Sequence, residues 1–169
     1  MDSTRATITA RRLLGYLAVS VVAFSLVLPT SAWGDPRLLK LDCVNVQVAV
    51  LESGESLGVT REVLREAMLA GLKAKVPGLR VDSSCPNRVV YRVFIQNLSQ
   101  GMIDAFYGHV AFEVRRKATF VDTALSMDAR AWDAESYIHG TRDKAKTSVL
   151  DLLNSYLTQF AADYQAATR

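Results

Sequence analysis

Hydrophobic residues in this chain follow three rhythms, and each predicts a different kind of element. The first is an apolar run over 13–28, preceded by Arg5, Arg11 and Arg12 and closed by Pro29. The second is alternation. Val44, Val46, Val48 and Val50 alternate with Asn45, Gln47 and Ala49, a β-branched period of two that predicts a strand over 43–51. Residues 88–97 also alternate (Val89, Tyr91, Val93, Ile95), but Val90 and Phe94 between them are apolar too, which predicts a central strand covered on both faces. Over 106–121, Phe106, Val110, Phe112, Val114, Ala118 and Phe120 fall on one side, and Tyr107, His109, Glu113, Arg115, Lys117 and Thr119 on the other. One face is core and the other wet, and the length leaves room for a break at Arg115, Arg116 and Lys117. A further strand over 125–137 drifts in parity, from odd (Leu125, Met127, Ala129, Ala131) to even (Trp132, Ile138), so a bulge near 129–131 is needed to keep one face.

The third rhythm is helical. Leu64, Met68 and Leu72, widened by Val63 and Ala67, make a stripe on a helix capped by Thr60 and running to about 76. Lys73 and Lys75 suit the negative end of its dipole, and Pro77-Gly78 stops it. Residues 79–81 read as a short strand or as the helix exit. A second helix, over 148–166 with Thr147 as cap, carries Leu150, Leu153, Leu157, Phe160 and Tyr164, joined by Val149 and Tyr156. The order β-α-β-β-β-α predicts an α+β fold: a two-layer sandwich of two amphipathic helices on a mixed, mostly antiparallel sheet of four to five strands.

The first apolar run changes the domain reading. A basic start, an apolar stretch and the small residues Thr30, Ser31, Ala32 and Gly34 follow the order of a secretory signal peptide, with cleavage fitting after Gly34 or after Ala32. The alternative is an uncleaved inner-membrane anchor, although Gly15, Ser20 and Ser25 interrupt the run and it is shorter than the roughly 20 residues of a spanning helix. Arg11-Arg12 matches a twin-arginine export signal only in part. The expected organisation is therefore a signal peptide over 1–34 and a single α+β domain over 35–169, exported and periplasmic or secreted. Of the 169 residues, 50% are hydrophobic and 22% charged, which excludes disorder and fibrous repeats. Without residues 1–34 the chain keeps 17 basic and 16 acidic residues, a net charge of +1, so the formal +3 gives no argument for nucleic acid.

Two cysteines in an exported chain predict one disulfide, Cys43 to Cys85. The bridge constrains the topology. A strand–helix–strand unit returns the chain parallel to its start, so both cysteines share one end of the sheet if 88–97 is the parallel neighbour of 43–51. Were 79–81 that neighbour, Cys85 would lie roughly 20 Å away at about 3.3 Å per residue. The bridge therefore assigns 88–97 as partner and 79–81 as connector.

Candidate chemistry is sparse. A hairpin turning near 122–124 places His109 opposite about Tyr137 and gathers His109, Glu135 and His139, a set that could ligate zinc. A one-residue slip would disperse it. No serine sits in a nucleophile elbow, and the loop ESGESLG (52–58) lacks the lysine of a phosphate cradle. No catalytic residue, cofactor or cofactor-binding residue is expected. Arg115, Arg116 and Lys117 form the one dense basic cluster, able to meet an anionic lipid or envelope polymer or simply to discourage strand pairing at an edge. Asn97-Leu98-Ser99 matches an N-glycosylation acceptor, meaningful in a eukaryotic host.

The helix TREVLREAMLAGLKAK after the first strand, the segment HVAFEVRRKATF and the closing helix VLDLLNSYLTQFAADY resemble, in element order, small envelope-assembly proteins of Gram-negative bacteria. These are the lipopolysaccharide-assembly lipoprotein that plugs the outer-membrane translocon and the activators of peptidoglycan synthases. The resemblance covers most of residues 35–169. The chain departs from the pattern in lacking a lipobox, since its first cysteine, Cys43, follows Lys40-Leu41-Asp42. What the resemblance implies is a non-catalytic binding or assembly protein of the envelope, with another envelope protein as partner. A small ligand-binding or cystatin-like inhibitor domain is the alternative class, and a metal-dependent hydrolase the third.

Overall fold

The computed structural model describes residues 35–98, 104–120 and 122–169. The expected signal segment over 1–34 lies outside them, as does Val121, the expected end of the third long strand. The elements are β1 (Cys43–Glu52), α1 (Arg61–Lys75), β2 (Arg80–Val81), β3 (Arg88–Asn97), β4 (Ala105–Thr119), β5 (Ser126–Thr141) and α2 (Ala145–Ala167), with short 3-10 turns at Pro36–Leu38, Glu55–Leu57 and Arg142–Lys144. They form an α+β sandwich: one five-stranded mixed sheet, in the order β2-β1-β3-β4-β5, under two helices. Among the described residues no helix is long and apolar enough to cross a membrane.

Each helix lies where its stripe sends it. Thr60 caps α1 by accepting from the Val63 amide at 3.3 Å, and Leu64, Met68 and Leu72 are its buried row. The α2 row of Val149, Leu153, Leu157 and Phe160 meets Tyr91, Val110, Phe112 and Val114, all buried. Of the three buried tyrosines, Tyr91, Tyr156 and Tyr164, two place the hydroxyl on a backbone carbonyl. Tyr91 donates to the Val149 carbonyl at 2.8 Å, and Tyr164 to the Leu41 carbonyl at 2.9 Å.

Several expectations need correction. Residues 80–81 are a strand and not only a connector: Arg80 pairs with Cys43 and Val81 with Val44 while β3 pairs along the other edge from Asn45. A strand has two edges, so the two candidates for parallel neighbour were never exclusive. The disulfide holds because β2 is only two residues long. The chain turns back at once, and the Cys43 and Cys85 Cα atoms lie 6.0 Å apart. α2 begins at Ala145, before the expected 148, and Lys144 is its uncapped N-cap, with Thr147 inside the helix. The preceding 3-10 turn hands the chain directly into the helix, and burial of Ala145 (fully inaccessible) anchors its first turn. Finally, β3 is not covered on both faces. Val89, Tyr91, Val93 and Ile95 are buried under the helices, whereas Val90 and Phe94 on the other face are half-buried.

The parity drift in β5 resolves as the pattern required. The β4–β5 register passes from Val114↔Trp132 to Arg115↔Arg130, leaving Ala131 unpaired. This bulge lets Ala131 and Trp132, adjacent in sequence, both be buried. Trp132 then stands edge-on to Phe112 with centroids 5.5 Å apart, and its indole donates to Asp163 Oδ2 at 2.7 Å.

Candidate functional site

Since both helices lie on one face, the pleat sends every second residue of β1, β3, β4 and β5 to a face that no element covers among the described residues. The registers align those residues in cross-strand rows. One row is Leu51, Phe94, His109 and Tyr137; the next is Gln96, Tyr107 and His139. Tyr137 is 71% exposed, Leu51 52% and Tyr107 40%, large values for side chains that could have been buried. The Tyr107 and Tyr137 rings are stacked, with centroids 6.1 Å apart, and the His109 ring lies 5.0 Å from Tyr137. The result is a solvent-exposed aromatic patch.

Of the proposed metal set, His109 and Glu135 come together, with Nε2 and Oε2 3.5 Å apart. His139 falls opposite Tyr107 on the next row. Among the described residues, no group of three or more His, Cys, Asp and Glu side chains could hold a metal ion.

The far half of the same face is charged. Glu113 lies there almost fully buried, and Arg115 Nε donates to its Oε2 at 2.7 Å. Arg92 hydrogen-bonds the other oxygen, and Arg130 stands 3.6 Å from it. A carboxylate excluded from water needs such compensation. Sequence reading had placed Glu113 on a wet face, and only the cross-strand register reveals that arginines from β3, β4 and β5 converge on it. Of the basic cluster, Arg115 and Lys117 lie on this open face. Lys117 pairs with Asp128 at 2.9 Å, and Arg88 stands 3.5 Å from the same carboxylate. The Lys117 hydrogen bond, aided by the charges of Arg88 and Arg115, holds the Asp128 carboxyl below its ordinary range. Arg116 points to the helix side, donating to the Arg37 and Leu39 carbonyls at 2.8 Å each.

The helix side carries a separate feature, an apolar hollow of about 530 Å³ between the end of α1 and β2, lined by Leu69, Val76, Pro77, Leu79 and Val81 with Lys73 at its rim.

No protein-family model and no curated protein matches the chain. Among solved structures it is similar to the PelC dodecamer from Paraburkholderia phytofirmans, at 14% identity and a TM-score of 0.42 over 81% of this chain and 94% of that one. A neuraminyllactose-binding hemagglutinin homolog from Helicobacter pylori matches at 10% identity and a TM-score of 0.40, over 80% of this chain and 88% of the other. A minor lipoprotein from Acinetobacter baumannii matches at 11% and 0.28, over 70% and 93%. Likeness at these scores carries no argument about activity, so the functional reading rests on this chain's own residues.

Proposed function

We propose that this chain is a non-catalytic binding or assembly protein of the cell envelope, exported to the periplasm, acting through contacts with another envelope protein. The observation that carries the reading is the one-sided sheet: helices cover one face, and the other presents Leu51, Tyr107 and Tyr137 to solvent beside a row of arginines. Surfaces that combine exposed tyrosines with arginine are what protein interfaces select, because both residue types bury large areas while keeping hydrogen-bonding tips. Export is supported by the order of residues 1–34 and by the bridge between Cys43 and Cys85, a bond that persists in oxidising compartments. Arg115 and Lys117 on the same face, with Arg116 behind it, are the residues an anionic envelope polymer or lipid would meet.

A photo-crosslinking residue placed at Tyr137 in a Gram-negative host that exports the chain tests this. The expected result is a discrete adduct with one envelope protein, lost in a Tyr107→Ser background and absent when the probe stands at Glu66, exposed on α1. Equal labelling from both positions, or none from Tyr137, overturns the reading. The apolar hollow between α1 and β2 favours a second reading, a small-ligand-binding or inhibitor domain. That reading requires Leu69→Glu, and not Tyr137→Ala, to abolish binding of an apolar probe.

A further inference from the structure

We infer that the free edge of β1 is a strand-addition site for an extended, acidic segment of a partner protein. In β1 the odd-numbered residues bond inward to β3: the Asn45 amide donates to the Asn87 carbonyl at 2.8 Å, and just past the strand the Ser53 amide donates to Ile95 at 3.0 Å. The even-numbered residues point the other way. The Val44 carbonyl accepts from the Asp82 amide at 2.9 Å, and there β2 ends, its register reaching only Cys43 and Val44. The amides and carbonyls of Val46, Val48 and Val50 therefore face outward, with no strand beyond them among the described residues. The open stretch is about 13 Å long at about 3.3 Å per residue. Exposed edges are ordinarily blunted by proline, a bulge or an inward-pointing charge, and residues 45–51 contain none of these.

Charge identifies the occupant. A groove of about 500 Å³ runs along this edge, lined by β1 and Val90 and flanked by Arg61 and Arg65 from α1 and by Arg92 from β3, with no acidic side chain in its wall. Arg61 and Arg65 stand one helical turn apart and form no ion pair among the described residues. Side chains of an added strand alternate between the two faces, so one set reaches Arg61 and Arg65 and the other runs beside Arg92, which Glu113 already engages. Past Val50 the sign reverses, where a second hollow is lined by Glu52, Glu55 and Glu62, with Arg61 standing between the two. The favoured segment therefore carries carboxylates where it pairs with Val46 to Ala49 and none beyond Val50. Two-fold pairing of β1 with itself would set the arginine-flanked half of one copy against the Glu52 end of the other, so a second copy is the rival occupant that the experiment separates.

The inference rests on the chain being a binding protein but uses the outer edge of β1, three strands from Tyr137 in the sheet, so the two tests fail separately. A short fluorescein-labelled peptide of alternating valine and glutamate is titrated into the oxidised protein and followed by anisotropy. Its lysine counterpart and a glutamate peptide N-methylated through its centre serve as probes of charge and of backbone pairing. Saturable binding that weakens with salt is expected, at least about tenfold weaker for either altered peptide and for the Arg61→Glu/Arg65→Glu variant. Hydrogen exchange should slow at Val46, Val48 and Val50 on binding, and stay unchanged at Asn45 and Gln47. No saturable binding, equal affinity for the N-methylated peptide, or unchanged exchange at the three valines overturns the inference. So does protection of those valines with dimer formation in the absence of peptide, which would make a second copy the occupant.

Discussion

Glu113 is the one charged side chain buried among the described residues, and its neighbours show why it tolerates that position. Arg92 and Arg115 hydrogen-bond its two oxygens and Arg130 adds a third positive charge. Removing the carboxylate leaves three guanidiniums facing one another. Glu113→Ala should cost about 3–5 kcal/mol, whereas Arg130→Ala, the most distant of the three, should cost under about 1 kcal/mol; urea denaturation measures both. Tyr91 supplies a pH-dependent counterpart. Burial pushes its phenol well above the ordinary value of 10.0, so the folded state keeps a proton that the unfolded chain releases. Its contribution is fully present below about pH 10 and is lost as pH rises beyond it, because the native state then binds more protons than the unfolded one. Tyr91→Phe should lose about 1 kcal/mol with the bond to Val149 and make the alkaline fall in stability shallower, as thermal melts across pH 9–11 would record.

At the scale of elements, two devices hold the sheet in register. The disulfide joins the starts of β1 and β3 across 42 residues of chain. Its reduction should remove about 4 kcal/mol on the chain-entropy account, and comparing denaturation with and without reductant tests this. The second device is the bulge at Ala131. Deleting Ala131 would make the β4–β5 ladder regular with Trp132 still opposite Val114 and Arg130 still opposite Arg115, so every side chain keeps its face and only the buried Ala131 methyl is lost. In a protein spanning 35–169, Trp132 is the sole tryptophan, so its fluorescence reports the outcome directly. An unshifted emission with a loss of about 1 kcal/mol is expected, the scale of removing one small buried group, and a red shift would show that the bulge is needed to seat Trp132. The bulge was legible because apolar parity changes within 125–138, and the pleat permits no other repair. The start of α2 was not, since Thr147 looks like a cap and only the tight turn after β5 makes an earlier, uncapped start cheaper.

For the whole molecule, the consequential feature is that one layer of helices covers one face of the sheet. Tyr107 and Tyr137 stack on each other on the open face and lie outside the buried core cluster, so Tyr107→Ser/Tyr137→Ser should change stability by no more than about 1 kcal/mol while abolishing the crosslink from a probe at Leu51; a calorimetric scan beside the crosslinking assay separates the two effects. The α+β class, the helix stripes and the alternating strands follow from the sequence by itself, because each depends only on residue type and a period of 3.6 or 2. The pairing of Cys43 with Cys85 followed as readily, there being no other cysteine to choose. Three things needed the tertiary structure: the place of β2 on the second edge of β1, the arginines around Glu113, and the exposure of the face bearing Val90 and Phe94. Each is a relation between residues distant in sequence. Alternation shows that two faces differ, but which strands lie side by side, and whether a second layer arrives to cover a face, depends on where the rest of the chain goes.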